Sequence, residues 1–423
     1  MGTIGEHCGD TESRILIIGG GIGGAYTALN LLREGVPANR ITIVADEWPT
    51  YTRHRLAEVL GSSAPLESIY LGVSEILEEA GVRVIKGRVT SVDTIDHVVN
   101  IDTGNGTVKE AYDNLVIASG GKPFKPPIPG SSLKGVYSFH GLGDLKALRT
   151  LPRHSKVVVI GAGLVGLTAA MALNRLGHRV AVVEIMQHVL PQLIDYPLVK
   201  PIEEYLSRNG VKLFLGVAAK KILGEHRIRG VLLGNGVFMS ADAVVVATGV
   251  RPNTEFLRDA GLETLKGALV VDEWGRTTVK DVYAVGDCAL SRDYVTGKQI
   301  YRPLGFVAAH YARLAAKAIT GRDDGEQSVR GVIPTIYERI GLLHVTRIGL
   351  SMVEANKLGL STEIKMLKEG VDSTWEAVVI DSDGRVVGWE HIALDPPRRS
   401  KAWCFYTAIR DGEDVSACLN NIA

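Results

Sequence analysis

Residues 14–35, RILIIGGGIGGAYTALNLLREG, decide how this chain folds. An apolar run, ILII, has the look of a buried strand, a glycine-rich turn follows, and apolar positions then recur at helical spacing. ITIVADE comes next as a second strand, so the whole reads as a βαβ unit. Gly19, Gly21 and Gly24 occupy the three places of a G-x-G-x-x-G turn. The first glycine permits the tight turn, the second lets a pyrophosphate approach the backbone, and the third lets the helix pack on the strand. Amides at the helix N-terminus then face the phosphate charge. A glycine-rich turn alone can be merely structural; here strand, helix and second strand flank it.

The pattern recurs at residues 156–185, KVVVIGAGLVGLTAAMALNRLGHRVAVVEI, where Gly161, Gly163 and Gly166 form the turn and Glu184 closes the second strand. An acidic residue there suits the hydroxyls of an adenosine ribose. In the first unit Ala45 stands at the corresponding place and Asp46 follows, so Asp46 is the ribose candidate and Glu47 the alternative. The repeat runs further. YDNLVIASG (112–120) and ADAVVVATG (241–249) each set an aspartate before a buried strand that ends in a small residue, a hydroxyl residue and glycine.

The rest of the chain is consistent with this duplication. At 423 residues it exceeds one hydrophobic core, and its 46% hydrophobic and 22% charged composition is that of a globular protein. Lys+Arg and Asp+Glu both number 47, so net charge gives no reason to expect nucleic acid or an anionic membrane as partner. Four dispersed cysteines without C-x-x-C suggest neither a metal site nor a disulfide framework, and fit a reducing cytoplasm. The polar N-terminus has no secretory pattern, and the longest apolar stretch is interrupted by the second glycine turn, so no transmembrane segment is expected. GGKPFKPPIPG (120–130) cannot continue strand or helix and marks a crossing between domains. Residues 304–319 have helical periodicity before a Thr-Gly cap, GRDDGEQSVRG is a polar linker, and the last ninety or so residues alternate strands and turns before a helix near residues 400–410.

These stretches, together with TYTRHRLAEVL (50–60), KPPIPG, VVVATGVRPN (244–253) and VYAVGDCA (282–289), resemble the flavin-dependent pyridine nucleotide oxidoreductases. The closest resemblance is to the branch holding NAD(P)H:rubredoxin oxidoreductases, NADH oxidases and ferredoxin reductases. It implies an α/β fold with two Rossmann-like dinucleotide-binding domains and a small α+β C-terminal domain. Residues 1–122 and 250–325 would bind FAD, 123–249 NAD(P)H, and 326–423 would form the third domain. The FAD contacts it implies are Gly19, Gly21, Ile22, Gly24, Asp46, Arg53, Val89, Ala118, Ser119, Gly120, Gly286, Asp287 and Phe306. For the nicotinamide nucleotide they are Gly161, Gly163, Leu164, Val165, Gly166, Glu184 and Gly249. NADH is expected over NADPH because Glu184 would repel a 2′-phosphate and IMQH, which follows, offers no Lys or Arg.

Departures from the family pattern narrow the reaction. Residues 47–60 contain no redox cysteine, and Cys288 in GDCA reads as a packed side chain, so a thiol relay is not expected. Thr168 stands where relatives carry a glutamate near the flavin, and Glu58 where ferredoxin-reductase relatives carry a lysine. Both are candidates near the flavin, without an assigned catalytic role. His54 replaces a usual proline and reads as a surface residue, with an imidazole that approaches the flavin as the alternative. Trp375, Trp389, Trp403 and Tyr406 read mainly as core, with an aromatic face for a quinone or a partner protein as the alternative. The implied function is NADH-to-FAD electron transfer to a separate acceptor, first a rubredoxin- or ferredoxin-like protein, then oxygen or a quinone. A flavoprotein subunit of a larger dehydrogenase, or a flavin-binding regulatory protein with negligible turnover, are the alternatives, and oligomerisation is left open.

Overall fold

Ile15–Ile18 pairs in parallel with Ile41–Ala45 on one side and Asn114–Ile117 on the other. It is the middle of a five-stranded parallel sheet completed by Arg83–Lys86 and Val282–Ala284. The computed structural model describes residues 13–323 and 330–419. Cys8, the polar N-terminus and most of the polar linker lie outside the described residues. The four residues of the central strand are at most 4% exposed. A strand covered on both faces needs an unbroken apolar run, and each aliphatic side chain so buried contributes roughly 1.5–3 kcal/mol. Helices Ile22–Arg33 and Gly305–Ile319 pack against each other, so two distant parts of the sequence complete one unit.

A second parallel sheet repeats the plan, with Lys156–Ile160 between Arg179–Val183 and Ala243–Val246, and Lys212–Phe214 and Val136–Tyr137 at its edges. The duplicated aspartates do the same work in each half. Asp113 accepts the amide hydrogen of Arg14 at 2.7 Å and Asp242 that of Lys156 at 2.7 Å, so each carboxylate holds the entrance of a central strand. The chain crosses between the two sheets and back through an antiparallel ribbon of Gly121–Pro123 and Val250–Pro252. The expectation that the proline-rich stretch excludes a strand is corrected at these residues. Pro123 and Pro252 stand at opposite ends of a two-stranded ribbon, where their missing N–H groups interrupt no wider sheet. Ser119 Oγ donates to Asn253 O and Thr248 Oγ1 to Phe124 O, each at 2.7 Å, and together they tie the crossings to the strand ends.

The C-terminal part is an antiparallel sheet in the order Thr335–Ile340, Leu343–Gly349, Val386–Ala393, Thr374–Asp381, Thr362–Val371. Helix Arg399–Asp411 covers one face, where Phe405 stacks on the fully buried Trp389 at 4.9 Å, and ends at Gly412 in the left-handed conformation. Trp389 belongs to the core as expected. Trp403 does not: it is 62% exposed and stacks on Tyr406 at 5.5 Å.

Buried polar contacts hold this sheet against both parallel-sheet units. Asp195, from the second unit, accepts the amide hydrogens of Met352 at 2.6 Å and Val353 at 3.3 Å. Its own amide donates to Glu390 at 3.0 Å. Arg302, from the first unit, reaches Asp293 and Glu354, and Arg347 pairs with Glu354 and donates to Leu193 O. No helix among the described residues is long and apolar enough to cross a membrane.

Candidate active site

In the first sheet the strand order reverses between Ile15–Ile18 and Asn114–Ile117, so the loops leaving their carboxyl ends part and open a crevice. Gly19 (φ +109°) and Ala118 meet there; a methyl at Gly19 would run into the Ala118 carbonyl oxygen, and one at Gly24 into that of Gly19. Gly21, the N-cap of helix Ile22–Arg33, has open space where a side chain would stand. Two glycines are thus demanded by backbone contact and the third leaves room for a ligand. The N-terminus of helix Gly305–Ile319 abuts this turn, because a methyl at Gly305 would stand 3.0 Å from Ile22 Cδ1. Phe306, in its first turn, is 48% exposed. Two helix N-termini, each carrying about half a positive charge, face one crevice.

Asp287 lies on the loop beyond Val282–Ala284 and is only partly buried by the protein. Desolvation pushes its carboxyl up to about 6, and Arg53 acts in the opposite sense. A methyl at Gly286 (φ +79°) would stand 3.3 Å from Ala308 Cβ. A methyl at Gly121 would meet Asp287 Cβ at 3.4 Å and Tyr301 Oη at 3.5 Å, so these three line one wall. The Tyr301 hydroxyl oxygen is buried and has no hydrogen-bond partner among the described residues. No sequence motif marks Tyr301; only tertiary contact brings it beside Asp287. An uncommitted carboxyl, an orphaned hydroxyl and open space over a helix N-terminus fit the hydroxyl-bearing chain and pyrophosphate of FAD.

The second sheet reproduces the first crevice. Gly161 (φ +106°) faces the Ala247 carbonyl, Gly166 faces the Gly161 carbonyl, and Gly163 is an open helix N-cap. Leu164 and Val165 begin helix Leu164–Arg175, Val165 being 47% exposed, and Gly249 (φ +103°) has open space before it. Glu184 is 8% exposed; its carboxylate accepts amide hydrogens from Ala162 at 2.7 Å and Met186 at 2.9 Å. It thus braces the glycine turn as well as standing at the strand end.

Other expected positions are committed to protein partners. Asp46 is exposed and pairs with Arg88 at 2.9 Å; Val89, next on that strand, is buried. Arg53 donates to Glu47 at 2.9 Å and to Tyr51 Oη and His140 O at 2.8 Å. Glu58 is held below the usual carboxylate range by its hydrogen bonds with Arg55, at 2.9 and 3.2 Å. The Thr168 hydroxyl donates to Leu164 O at 2.9 Å in its own helix. The helices bearing these two residues do touch: a methyl at Gly61 would stand 3.1 Å from Ala172 Cα. His54 is exposed and bonds Thr52 Oγ1 through Nδ1 at 2.7 Å. Cys288 is fully buried, its thiol pushed up to about 11 and directed at the Ile117 and Val285 carbonyls at 3.3 Å. Burial and a raised pKa make it a poor nucleophile.

Two dinucleotide crevices, each built on a parallel sheet and joined by a shared crossing, define an oxidoreductase that brings a nicotinamide nucleotide to a flavin. The chain belongs to the pyridine nucleotide-disulphide oxidoreductase family, whose sequence pattern matches residues 13–329. It is 30% identical over 390 residues to an NADH oxidase of Methanocaldococcus jannaschii, covering 89% of this chain and 86% of that one. Among solved structures it resembles an NAD-dependent persulfide reductase from A. fulgidus, with 27% identity, a TM-score of 0.87, and coverage of 96% of this chain and 78% of that one. A ferredoxin reductase from Rhodopseudomonas palustris matches with 26% identity, a TM-score of 0.81, and coverage of 90% and 91%. The chain is an FAD-dependent NAD(P)H oxidoreductase.

Proposed function

We propose that this enzyme moves electrons from NADH through FAD to a separate acceptor, without a cysteine of its own in the path. The observation that carries the reading is the state of Cys288: it is buried, bonded to two backbone carbonyls, and among the described residues the only cysteine on the loops around the first crevice. When bound, FAD accepts a hydride and can release its electrons singly or as a pair. The chain contributes orientation and charge. Gly21 and Gly163 leave their helix N-termini open to pyrophosphates, Asp287 and Tyr301 offer an acceptor and a donor to the hydroxyl-bearing chain, and Glu184 would accept from the ribose hydroxyls of the nicotinamide nucleotide. No side chain need act as a general acid or base in a hydride transfer.

A small electron-transfer protein of the ferredoxin or rubredoxin class is the favoured acceptor, supported by the likeness to a ferredoxin reductase over 90% of this chain. Dioxygen is the second reading, supported by the NADH oxidase relative. Anaerobic stopped-flow absorbance with NADH tests the first half-reaction, and mixing the reduced enzyme with ferredoxin, rubredoxin or dioxygen tests the second. Rapid bleaching followed by fastest reoxidation with the iron-sulfur or iron protein supports the proposal. Flavin that stays oxidised under NADH overturns it. A variant lacking all four cysteines should retain NADH-dependent reduction of the flavin; a loss beyond about tenfold, or roughly 1.4 kcal/mol of barrier, with FAD still bound would restore a thiol path.

A further inference from the structure

Cys404 and Cys418 stand apart from Cys288 in lying against each other. Cys404 is on helix Arg399–Asp411 and partly accessible, whereas Cys418 is on the short helix Ser416–Leu419 and fully buried. Cys404 Sγ lies 3.7 Å from the carbonyl oxygen of Ala417, the residue beside Cys418, and the two thiols are close enough to interact. Both pack in the core that contains Trp389 and Phe405, a separate cluster from the one that holds Cys288. The backbone between them is anchored, since Val386 N donates to Glu413 O at 2.8 Å and Gly412 makes the left-handed turn.

We propose that Cys404 and Cys418 are a peroxide-responsive dithiol that closes to a disulfide and staples the C-terminal helix to the helix before it. The accessible Cys404 sulfur is the one that attacks. It displaces one oxygen of hydrogen peroxide, forming an S–O bond as the O–O bond breaks, and gives a sulfenic acid and one water. Cys418, already in contact, then attacks that sulfur. The S–O bond breaks, the S–S bond forms, and the hydroxyl leaves with the Cys418 proton as a second water. Two thiols lose one electron each and peroxide gains two, so the exchange balances. Burial pushes the Cys418 thiol up and shields it from bulk oxidant, which suits the resolving partner and not the first attacker. The bond would restrict the unfolded chain between residues 404 and 418 and raise the resistance of the C-terminal helices to unfolding.

The test uses the full-length, FAD-loaded protein, fully reduced, desalted and exposed to hydrogen peroxide. Thiols counted in denaturant should fall from four to two, intact mass should drop by two hydrogens, and proteolytic mapping should join the peptides carrying Cys404 and Cys418. In Cys418→Ser, a sulfenic-acid trap should label Cys404; in Cys404→Ser, no disulfide should form. Retention of four thiols overturns the proposal. So does a disulfide that pairs either residue with Cys8 or Cys288, or progression of Cys404 to sulfinic acid in the unmodified protein before any disulfide appears.

Discussion

Arg302 and Glu354 meet at 2.6 Å where the first parallel-sheet unit touches the C-terminal part, and the Arg302 side chain is only 5% exposed. Arg302 also holds Asp293 at 3.2 Å, and Glu354 also holds Arg347 at 2.9 Å, so two guanidinium groups share the charge of two carboxylates in a nearly dry interface. Arg302 follows Tyr301 in sequence and precedes helix Gly305–Ile319, which ties the network through the chain to the wall and the helix start of the first crevice.

Truncating Glu354 to Ala should leave Arg347 without its carboxylate and Arg302 with one partner in place of two. Breaking a buried pair in this way costs about 3–5 kcal/mol. The urea unfolding midpoint should fall accordingly, and FAD should dissociate faster because the start of the Gly305–Ile319 helix loses its support. Equilibrium unfolding in urea measures the first, and the time course of flavin fluorescence as FAD is released measures the second. A midpoint unchanged within error would mean that the network contributes nothing net.

Nucleotide choice should rest on Glu184. Each of its oxygens accepts one amide hydrogen and retains lone-pair capacity for a ribose hydroxyl. A 2′-phosphate would meet a carboxylate in a partly desolvated pocket; His188, the nearest basic residue in the loop that follows, is 3.7 Å from Glu203. NADH should be preferred by at least about tenfold in kcat/KM, roughly 1.4 kcal/mol. Glu184→Ala should narrow that preference and also loosen the turn, since the Ala162 and Met186 amides lose their acceptor. Steady-state rates with NADH and NADPH decide it, and equal use of both by the unmodified enzyme would remove Glu184 from this role.

Binding of FAD should weaken in acid through Asp287. Desolvation raises this carboxyl from its usual 3.8 to about 6, so below that pH the FAD-free protein carries a proton there. For the FAD-free fold itself, the neutral form is favoured. That contribution to stability is complete below 3.8 and is lost as pH rises through about 6. A flavin-chain hydroxyl that donates to ionised Asp287 reverses the balance in the complex, so the dissociation constant should be flat above neutrality and rise as pH falls below about 6. Fluorescence titration with FAD at a series of pH values tests this. Asp287→Asn should flatten the profile, and a profile of unchanged shape in that variant would point to another group.

Much of the architecture was legible because its causes are local. A strand buried on both faces must be apolar throughout, and a turn whose backbone atoms crowd one another must use glycine. The segments 14–35 and 156–185 therefore announce two crevices, and the repeated aspartates Asp113 and Asp242 announce two equivalent strand entrances. The site was less legible at polar side chains. Asp46 is expected at a ribose, yet its carboxylate pairs with Arg88, which is distant in sequence. Glu58 and Thr168 occupy positions that count in relatives, but one bonds a neighbouring arginine and the other its own helix. Tyr301 escaped notice because nothing adjacent to it forms a pattern.

By itself the sequence determined the two parallel sheets, the placement of the helix starts that follow the glycine turns and the absence of a cysteine in the segment after the first unit. These follow from backbone sterics and hydrophobic periodicity, which act over a few residues. Only the tertiary structure decided which carboxylates are free and which are paired, that Tyr301 stands beside Asp287, that Arg302 bridges to Glu354, and that Cys404 meets Cys418. The strength of a charge or hydrogen bond depends on burial and on partners, and both are set by segments that meet only when the whole chain has folded.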